Sequence, residues 1–529
     1  MSPTTPPGAR EPFGEGRRVK LADVAAEIPG ASLSGDAGVL ITGVRHDSRE
    51  VRPGDLFVAR AGGRTHGERF VADAIARGAV AVLVESGASA ATPGVARIEA
   101  PDVPRALALA SAAFWGHPTF ALDVVGITGT NGKTTSTYLC RAAIDACGGR
   151  TGIVGTLGYS LGTDLVLPAT HTSPEADVLA EVSARMLALG ATHLAMEVSS
   201  IALAAARVDA VRFRVAALTN LTQDHLDYHG SMEAYGAAKA RLFFDLGPGS
   251  AALNVDDAFG RELASKLAAH GDKPALPLAR FSADPGAARS DADVAPTHLV
   301  TGPFGIHMDV RTPGGDVSIR SPLLGAHNVS NLLTALSIAF LLDLDVAKAA
   351  AALSVPIGVP GRLERCDSPD LDDVVVLVDY AHTPDALARV LASVRPMTKG
   401  KLTCVFGCGG DRDPTKRPLM GEAAGRGADF CIVTNDNPRS EAPRAIADAI
   451  VPGLRASGAR FDIELDRSWA IERAVLEAAP GDVVVIAGKG HEPYQILGDK
   501  TVAFDDREEA HRALDARRLG PPTRRGGPA

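Results

Sequence analysis

The segment from Leu122 to Thr135 constrains this chain most. An apolar run, Leu122–Thr128, leads without a break into Gly129-Thr-Asn-Gly-Lys-Thr-Thr135 and then into a stretch with helical character. A strand, a tight glycine turn and a helix N-terminus in that order form an anion site, because unpaired N–H groups and the helix dipole both favour phosphate. Gly129 and Gly132 let the backbone approach the oxygens. Lys133 offers a point charge for the β- and γ-phosphates, and Thr134 a hydroxyl for Mg²⁺. The strict Walker pattern has glycine where this chain has Ile127, so the match is to the shorter GxxGK[ST] core. An ordinary glycine turn accounts for the glycines but not for the Lys-Thr-Thr that opens the helix. Gly129, Thr130, Asn131, Gly132, Lys133, Thr134 and Thr135 are therefore expected to hold the triphosphate of ATP.

The same strand-then-helix rhythm runs along the chain. Short apolar strands at Val39–Val44, Asp55–Ala59 and Val80–Val84 alternate with Ala-rich stretches such as Phe70–Arg77. His193–Val198, Val211–Thr219 and Ala251–Val255 continue the pattern with a helix at Ser231–Phe244, and Leu324–Leu342 reads as a long apolar helix. Val355–Gly361 (Val-Pro-Ile-Gly-Val-Pro-Gly) is a hinge. After it come Val374–Val378, Leu402–Phe406, Phe430–Thr434 and Val483–Ala487, continuous β-branched runs of the kind found in buried parallel strands. The fold class is α/β, with parallel sheets covered by helices. With 529 residues, about three domains are expected. Their bounds read as residues 19–119, 120–355 and 356–529, after a disordered Pro/Gly-rich tail at 1–18 that has no apolar core of a signal peptide. The Arg/Gly/Pro-rich end after Leu519 reads as frayed.

Composition narrows the function classes. No apolar run reaches the roughly 18 residues of a membrane span. A net charge of −9 argues against non-specific nucleic-acid binding. The six cysteines lie in apolar segments without a CxxC pair, and Cys404 and Cys408 lack a second ligand pair at zinc spacing. Buried free thiols in a reducing cytoplasm are expected.

In open α/β sheets, ligands bind beyond the carboxyl ends of the strands. There the sequence places Glu197 with Ser199 and Ser200, and Asn220 with Thr-Gln-Asp-His-Leu-Asp-Tyr-His (222–229). Each of Glu197 and His225 alone suits a turn; beside Lys133 and Thr134 they suit a hard cation. The four late strands end in Asp379-Tyr-Ala-His382, Gly407-Cys-Gly-Gly-Asp-Arg412, Asp436-Asn-Pro-Arg439 and Gly488-Lys-Gly-His-Glu492. Arginines and acids converging on one edge suit a zwitterion: guanidinium for carboxylate, carboxylate for ammonium.

With these motifs the chain resembles the Mur ligase family from Val19 to about Ala510. The markers are Asp47-Ser-Arg49, Gly129–Thr135, Glu197-Val-Ser-Ser200, Asp224-His-Leu-Asp-Tyr-His229, Leu324-Gly-Ala-His-Asn328, Gly361-Arg362, Asp379–Pro384, Asp436–Arg439 and Gly488–Glu492. The resemblance is strongest to the diaminopimelate-adding members. It implies a three-domain architecture with a central P-loop-type parallel sheet and a C-terminal Rossmann-like domain. It implies that Ser48, Thr172, Ser173, Ser199 and Arg207 bind a UDP-linked muramoyl dipeptide. Asn328, Arg362 and Asp379 join the ATP site. Arg412, Asp436, Asn437, Pro438, Arg439, Gly488 and Glu492 bind meso-diaminopimelate. Lys133, Glu197, His225 and Lys239 carry catalysis, and Mg²⁺ rests on Thr134, Glu197, His225 and Lys239, the last as a carbamate. Read alone, Lys239 is an exposed helix lysine. The chain departs from the family pattern at Ile201 and Ala205.

The implied reaction is amide formation through an acyl phosphate in peptidoglycan precursor synthesis, by a cytoplasmic monomer whose domains close about the hinge. Small-molecule substrates are implied, with no nucleic acid and no membrane insertion. Within the same class a lysine-adding ligase, another Mur-type ligase or a folylpolyglutamate synthase remains open; outside it, a P-loop ATPase or regulator without ligase activity. Relatives that add lysine usually lack the arginine of Asp-Asn-Pro-Arg, and Arg439 is a natural partner for the extra carboxylate of diaminopimelate.

Overall fold

The computed structural model describes residues 16–60, 67–269, 276–286, 292–302, 305–368 and 370–519. Most of the tail expected at 1–18, and the end after Leu519, lie outside the described residues. The chain packs as two compact units. The first holds the residues up to Thr128 with Gly148–Ala217 and Glu233–Ala251; the second holds Gly129–Cys147, Leu218–Met232 and the chain from Ala252 onward.

The first unit opens with β1 (Val19–Lys20), β2 (Ser32–Ser34), β3 (Leu40–Ile41), β4 (Gly43–Arg45), β5 (Asp55–Val58), β6 (Ala81–Glu85) and β7 (Ala96–Ala100). β4 to β7 are parallel, in the sheet order β2-β7-β6-β5-β4, with β2 antiparallel at the edge. The helix Val103–Trp115 covers this sheet. Asp102 caps it by accepting from Arg105 N at 3.0 Å, and Gly116 ends it in the left-handed region. Its apolar face joins Leu21, Leu56, Leu83 and Ile98 in one core.

Next come β8 (Asp123–Thr128), β9 (Thr151–Gly155), β10 (Gly158–Leu161), β11 (Leu165–Leu167), β12 (His193–Glu197) and β13 (Phe213–Leu218), in the order β11-β10-β9-β12-β8-β13. β9, β12 and β8 are parallel, as their unbroken apolar character predicts. β10 and β11 form an antiparallel hairpin at the edge. The central sheet is thus mixed, which the strand–helix alternation did not reveal. The hairpin's strands are short, and its turn at Gly162-Thr-Asp164 carries the usual turn residues.

β14 (Ala251–Asn254), all but its first residue in the second unit, lies beside β15 (Leu278–Phe281), and the second unit also holds an antiparallel sheet of β16 (Ala295–Gly302), β17 (Gly305–Arg311) and β18 (Val317–Ser321). In β17 the side chains of Ile306, Met308 and Val310 are buried, a period-two pattern. The expected long apolar helix runs His327–Leu341. Its start is delayed because Gly325 takes a positive φ of 90°.

The last sheet is β19 (Glu364–Arg365), β20 (Val375–Asp379), β21 (Leu402–Phe406), β22 (Phe430–Val433), β23 (Phe461–Ile463) and β24 (Val483–Ala487), in the order β19-β20-β24-β21-β22-β23. All but β19 are parallel. Because β24 inserts between β20 and β21, the four polar strand ends read from the sequence are immediate neighbours. β25 (Tyr494–Leu497) and β26 (Lys500–Ala503) form a two-stranded ribbon.

Under this sheet Arg467 and Asp506 form a fully buried bidentate pair, Nε to Oδ1 and Nη2 to Oδ2, both at 2.7 Å. Arg467 also donates to the carbonyls of Asn435 and Ala487, the residues that precede Asp436 and Gly488. Asp506→Ala leaves this guanidinium buried without its counter-charge. Stability, read by urea unfolding, is expected to fall by about 3–5 kcal/mol; a loss below about 1 kcal/mol would contradict this account.

Candidate functional site

In the second unit the phosphate loop is built as its sequence requires. Gly129 has φ +149° and Gly132 φ +85°; a methyl on the first would collide with Thr219 Oγ1 and on the second with Asn331 Oδ1. The loop is tied to the end of β13: Asn131 N donates to Asn220 Oδ1 at 2.9 Å, and Asn220 Nδ2 donates to Asn131 O at 3.1 Å. Thr130 N donates to Asn220 O at 2.9 Å. Lys133 folds back across the loop, its Nζ donating to the carbonyls of Gly129 and Thr130, both at 2.8 Å. The helix Lys133–Ala146 then begins, with Thr134 and Thr135 buried in its first turn.

Of the three residues assigned to the ATP site by resemblance, Arg362 touches the start of this helix, Asn328 is linked to it through Asn331, and Asp379 holds the turn next to Arg362. Asn328 Nδ2 donates to Leu324 O at 2.7 Å and its Oδ1 accepts from Asn331 Nδ2 at 2.7 Å. Asn331 in turn accepts from Ser136 Oγ at 3.3 Å. Arg362 Nη2 donates to Thr134 Oγ1 at 3.2 Å, and its guanidinium lies 4.8 Å from the centre of the Tyr380 ring. Asp379 fixes the turn beside it, accepting from Leu363 N and Ala381 N, both at 2.7 Å. Sequence reasoning missed Asn331 and Asp385, whose Oδ2 lies 3.4 Å from both Asn131 Nδ2 and Thr222 Oγ1. Asn331 was detectable: it stands three residues after Asn328, on the same helix face.

His327, next to Asn328, and His491, packed against Tyr380 at 5.0 Å between ring centres, have buried Nδ1 atoms without a hydrogen-bond partner among the described residues. Burial, helped by Arg389 and Arg362, pushes the His327 imidazole down to about 4. Burial, then Arg362, pushes His491 down to about 3. An unfolded histidine titrates near 6.5. Between about pH 6.5 and 4 the unfolded chain thus binds more protons, so stability is full above that window and declines as pH falls through it. Urea midpoints taken from pH 7 to 4.5 are expected to decline, and His327→Gln to flatten the decline. Equal slopes would remove His327 from the account.

The amino-acid end is also gathered at adjacent strand ends. Asn437 Nδ2 donates to Glu492 Oε2 at 2.8 Å. Gly410 N donates to Asn437 O at 2.9 Å, which lays the loop bearing Arg412 along Asn437 and Pro438. Arg439 has a positive φ of 51°, and its Nη1 donates to Gly410 O at 2.8 Å. A methyl at Gly409 would lie 3.0 Å from Arg439 Nη1 and 3.6 Å from Arg412 Cγ, so glycine lets both side chains pass. Gly488, at φ +119°, approaches Asp436 Oδ2, and Asp436 is nearly buried. Arg412 is exposed.

In the first unit Thr172, Ser173, Ser199 and Arg207 come together. Ser173 Oγ donates to Glu197 O at 2.8 Å and accepts from Ser199 N at 2.9 Å. Arg207 donates to Ser173 O at 3.1 Å and pairs with Glu175 at 2.7 Å. Thr172 and Thr156 hydroxyls meet at 3.1 Å. Arg60 shares the same Glu175 oxygen at 2.7 Å, a cation that no sequence motif singles out. Among the described hydrogen bonds none joins Ser48 to this group; Ser48 is buried, and its neighbour His46 pairs with Asp177 at 2.8 Å. Burial opposes the charge on His46, but Asp177 outweighs it and raises the imidazole above its ordinary value.

Glu197 is 1% exposed, and its oxygens accept from Thr156 N at 2.8 Å and Thr156 Oγ1 at 3.1 Å. Lys239 corrects the reading made from its helix alone. It is 1% exposed, not a surface lysine, with Nζ 4.5 Å from the centre of the Tyr235 ring. His225, in the second unit, has φ +53° and a half-exposed ring, its Nε2 lying 3.5 Å from Asp224 Oδ2. The six cysteines are free, and Cys404 and Cys408 are buried with thiols raised by burial. Among the described residues no helix is long and apolar enough to cross a membrane, and no three His, Cys, Asp or Glu side chains form a metal group.

Three family models match in succession: the Mur ligase family catalytic domain over residues 40–115, the Mur ligase middle domain over 127–339 and the Mur ligase glutamate ligase domain over 361–490. A UDP-N-acetylmuramoyl-L-alanyl-D-glutamate–2,6-diaminopimelate ligase of Gloeobacter violaceus is 46% identical over 479 residues, covering 90% of this chain and 94% of that protein. This chain belongs to the Mur ligase family. The family consists of ATP-dependent ligases that form amide bonds. A ligase of the same name from Synechococcus elongatus is also 46% identical, over 485 residues, 90% of this chain and 94% of that one. A solved structure of a 2,6-diaminopimelate ligase is 33% identical, with TM-score 0.66, covering 94% of this chain and 99% of that chain. A folylpolyglutamate synthase from Mycobacterium tuberculosis, solved with ADP and AMPPCP, shares the fold at 20% identity and TM-score 0.57, covering 72% and 91%. The Mur ligase fold and ligase class thus hold, and the reading as an ATPase without ligase activity falls away.

Proposed function

We propose that this enzyme adds meso-diaminopimelate to UDP-N-acetylmuramoyl-L-alanyl-D-glutamate, using ATP, in cytoplasmic peptidoglycan precursor synthesis. One observation carries the reading: Arg412, Asn437, Arg439 and Glu492 meet at neighbouring strand ends of a chain 46% identical to a named diaminopimelate ligase. Three domains, 19–119, 120–355 and 356–529, would serve the UDP precursor, ATP and the amino acid. Thr172, Ser173, Ser199, Arg207 and Ser48 would take the UDP precursor. Free thiols suit the reducing compartment. A monomer without nucleic-acid or membrane partners completes the reading.

In this mechanism the D-glutamyl side-chain carboxylate attacks the γ-phosphorus. The new O–P bond forms as the bond to the β-phosphate oxygen breaks, and ADP leaves. The amine of diaminopimelate then attacks the acyl carbonyl; phosphate departs, and the amine loses a proton. Lys133 exchanges the Gly129 and Thr130 carbonyls for phosphate oxygens, and the loop N–H groups hold the charge that spreads in transfer. Asn328, Arg362 and Asp379 would take the base and ribose of ATP. By the family resemblance Thr134, Glu197, His225 and a carbamylated Lys239 would be the Mg²⁺ ligands; the hydroxyl of Thr134, in the first turn after the phosphate loop, is a hard oxygen donor of the kind Mg²⁺ takes, and the ion would neutralise phosphate charge. The burial of Lys239 supports a role inside the protein over one at its surface.

The test is ATP-dependent phosphate release with the UDP-muramoyl dipeptide and, in parallel, meso-diaminopimelate, L-lysine or D-Ala-D-Ala. Turnover with diaminopimelate alone is expected. Turnover with lysine equal to or above that with diaminopimelate would overturn the substrate assignment.

A further inference from the structure

The described hydrogen bonds to Glu492 fall on one of its two side-chain oxygens. Oε2 accepts from Asn437 Nδ2 at 2.8 Å and from Lys489 Nζ at 3.1 Å, and none of those bonds reaches Oε1. Lys489 is fully buried. Its Nζ also donates to Asn437 Oδ1 at 3.2 Å and stands 5.4 Å from the centre of the Tyr494 ring. Asn437 Oδ1 accepts in addition from Ile496 N at 3.0 Å. With its oxygen held by two donors, the Asn437 amide has one orientation left, the one that turns Nδ2 to Glu492. Lys489, Asn437 and Glu492 therefore form a closed triangle at the ends of β24 and β22, braced by β25.

Lysine is almost never fully buried unless paired, and a buried ion pair is weak support for stability by itself. A cation in this place serves something that an apolar side chain of the same length does not. We infer that Lys489 is a positioning residue for the amino-acid site: it locks Glu492 through Oε2, together with Asn437, and so leaves Oε1 for the ammonium of diaminopimelate that is not acylated. This rests on the diaminopimelate reading above. A carboxylate already held in one rotamer loses little freedom when the ammonium arrives, which strengthens binding. The described hydrogen bonds of the Lys489 ammonium go to Glu492 and Asn437.

The experiment measures KM for each of the three substrates, and kcat, in Lys489→Met, in Glu492→Gln and in the double variant. Lys489→Met is expected to raise KM for diaminopimelate at least tenfold and to leave KM for ATP and for the UDP precursor within about twofold. In the Glu492→Gln background the same change is expected to have no further effect on KM for diaminopimelate. A Lys489 that merely supports the fold would instead move all three KM values together, or act equally in both backgrounds; either result overturns the inference. If Lys489→Met does not fold, Lys489→Gln, neutral but still polar, is measured in the same cycle against the same outcomes. Absence of turnover by the wild-type enzyme with diaminopimelate would instead remove the underlying substrate reading.

Discussion

Lys133→Ala is expected to lower ATP-dependent turnover by about a hundred- to a thousand-fold while leaving the chain folded. In this structure the Lys133 ammonium rests on two carbonyls of its own loop. Losing those contacts costs about 1 kcal/mol each at most, since loop carbonyls regain water. The catalytic loss is larger because negative charge spreads over the transferring phosphoryl group where Lys133 reaches, and removing one such preorganised donor typically costs about 3–4 kcal/mol. Initial rates of ADP formation, with a thermal melt to show that the fold persists, make the comparison. Near-normal turnover in a folded Lys133→Ala variant would contradict the acyl-phosphate mechanism.

Arg439→Ala is expected to lower kcat/KM for meso-diaminopimelate by about 10²–10³ and to change the residual rate with lysine by only a few-fold. Arg439 is fixed in place: φ +51° at a non-glycine residue, Nη1 on Gly410 O, and backbone N on Ile496 O at 3.2 Å. Such backbone strain persists only where the surroundings over-determine it. A guanidinium offers a carboxylate two parallel hydrogen bonds, and a site built for such a partner rejects the analogue without it by about 10⁴ or more. Removing the arginine narrows that discrimination from the diaminopimelate side. Competition assays with both amino acids read it directly; an equal fall for the two would show that Arg439 supports the site without choosing its substrate.

Much of this was legible in the sequence because the phosphate loop and the late strand ends are local. Gly129–Thr135 is contiguous, and its glycines sit at positive φ as a close backbone approach demands. Asp379, Asp436, Arg439 and Glu492 each stand at or after the end of a short β-branched apolar run of the kind found in buried strands. That these strand ends are neighbours was not legible: it depends on β24 inserting between β20 and β21, and strand order is not written in any one segment. Lys239 was misjudged because the helix Met232–Phe244 has no clear apolar stripe, with Lys239 itself buried beside Ala238. The hairpin of β10 and β11 was missed for want of length. Arg467 and Asp506, 39 residues apart, carry no sign of each other.

The central claim is that ATP hydrolysis is spent on an amide bond to diaminopimelate. It is tested most directly by counting phosphate released against UDP-muramoyl-tripeptide formed, with each substrate omitted in turn. The account predicts one phosphate per tripeptide, and no sustained release when either the UDP precursor or diaminopimelate is left out. Sustained phosphate release without diaminopimelate, or release with all substrates present and no tripeptide formed, would contradict it.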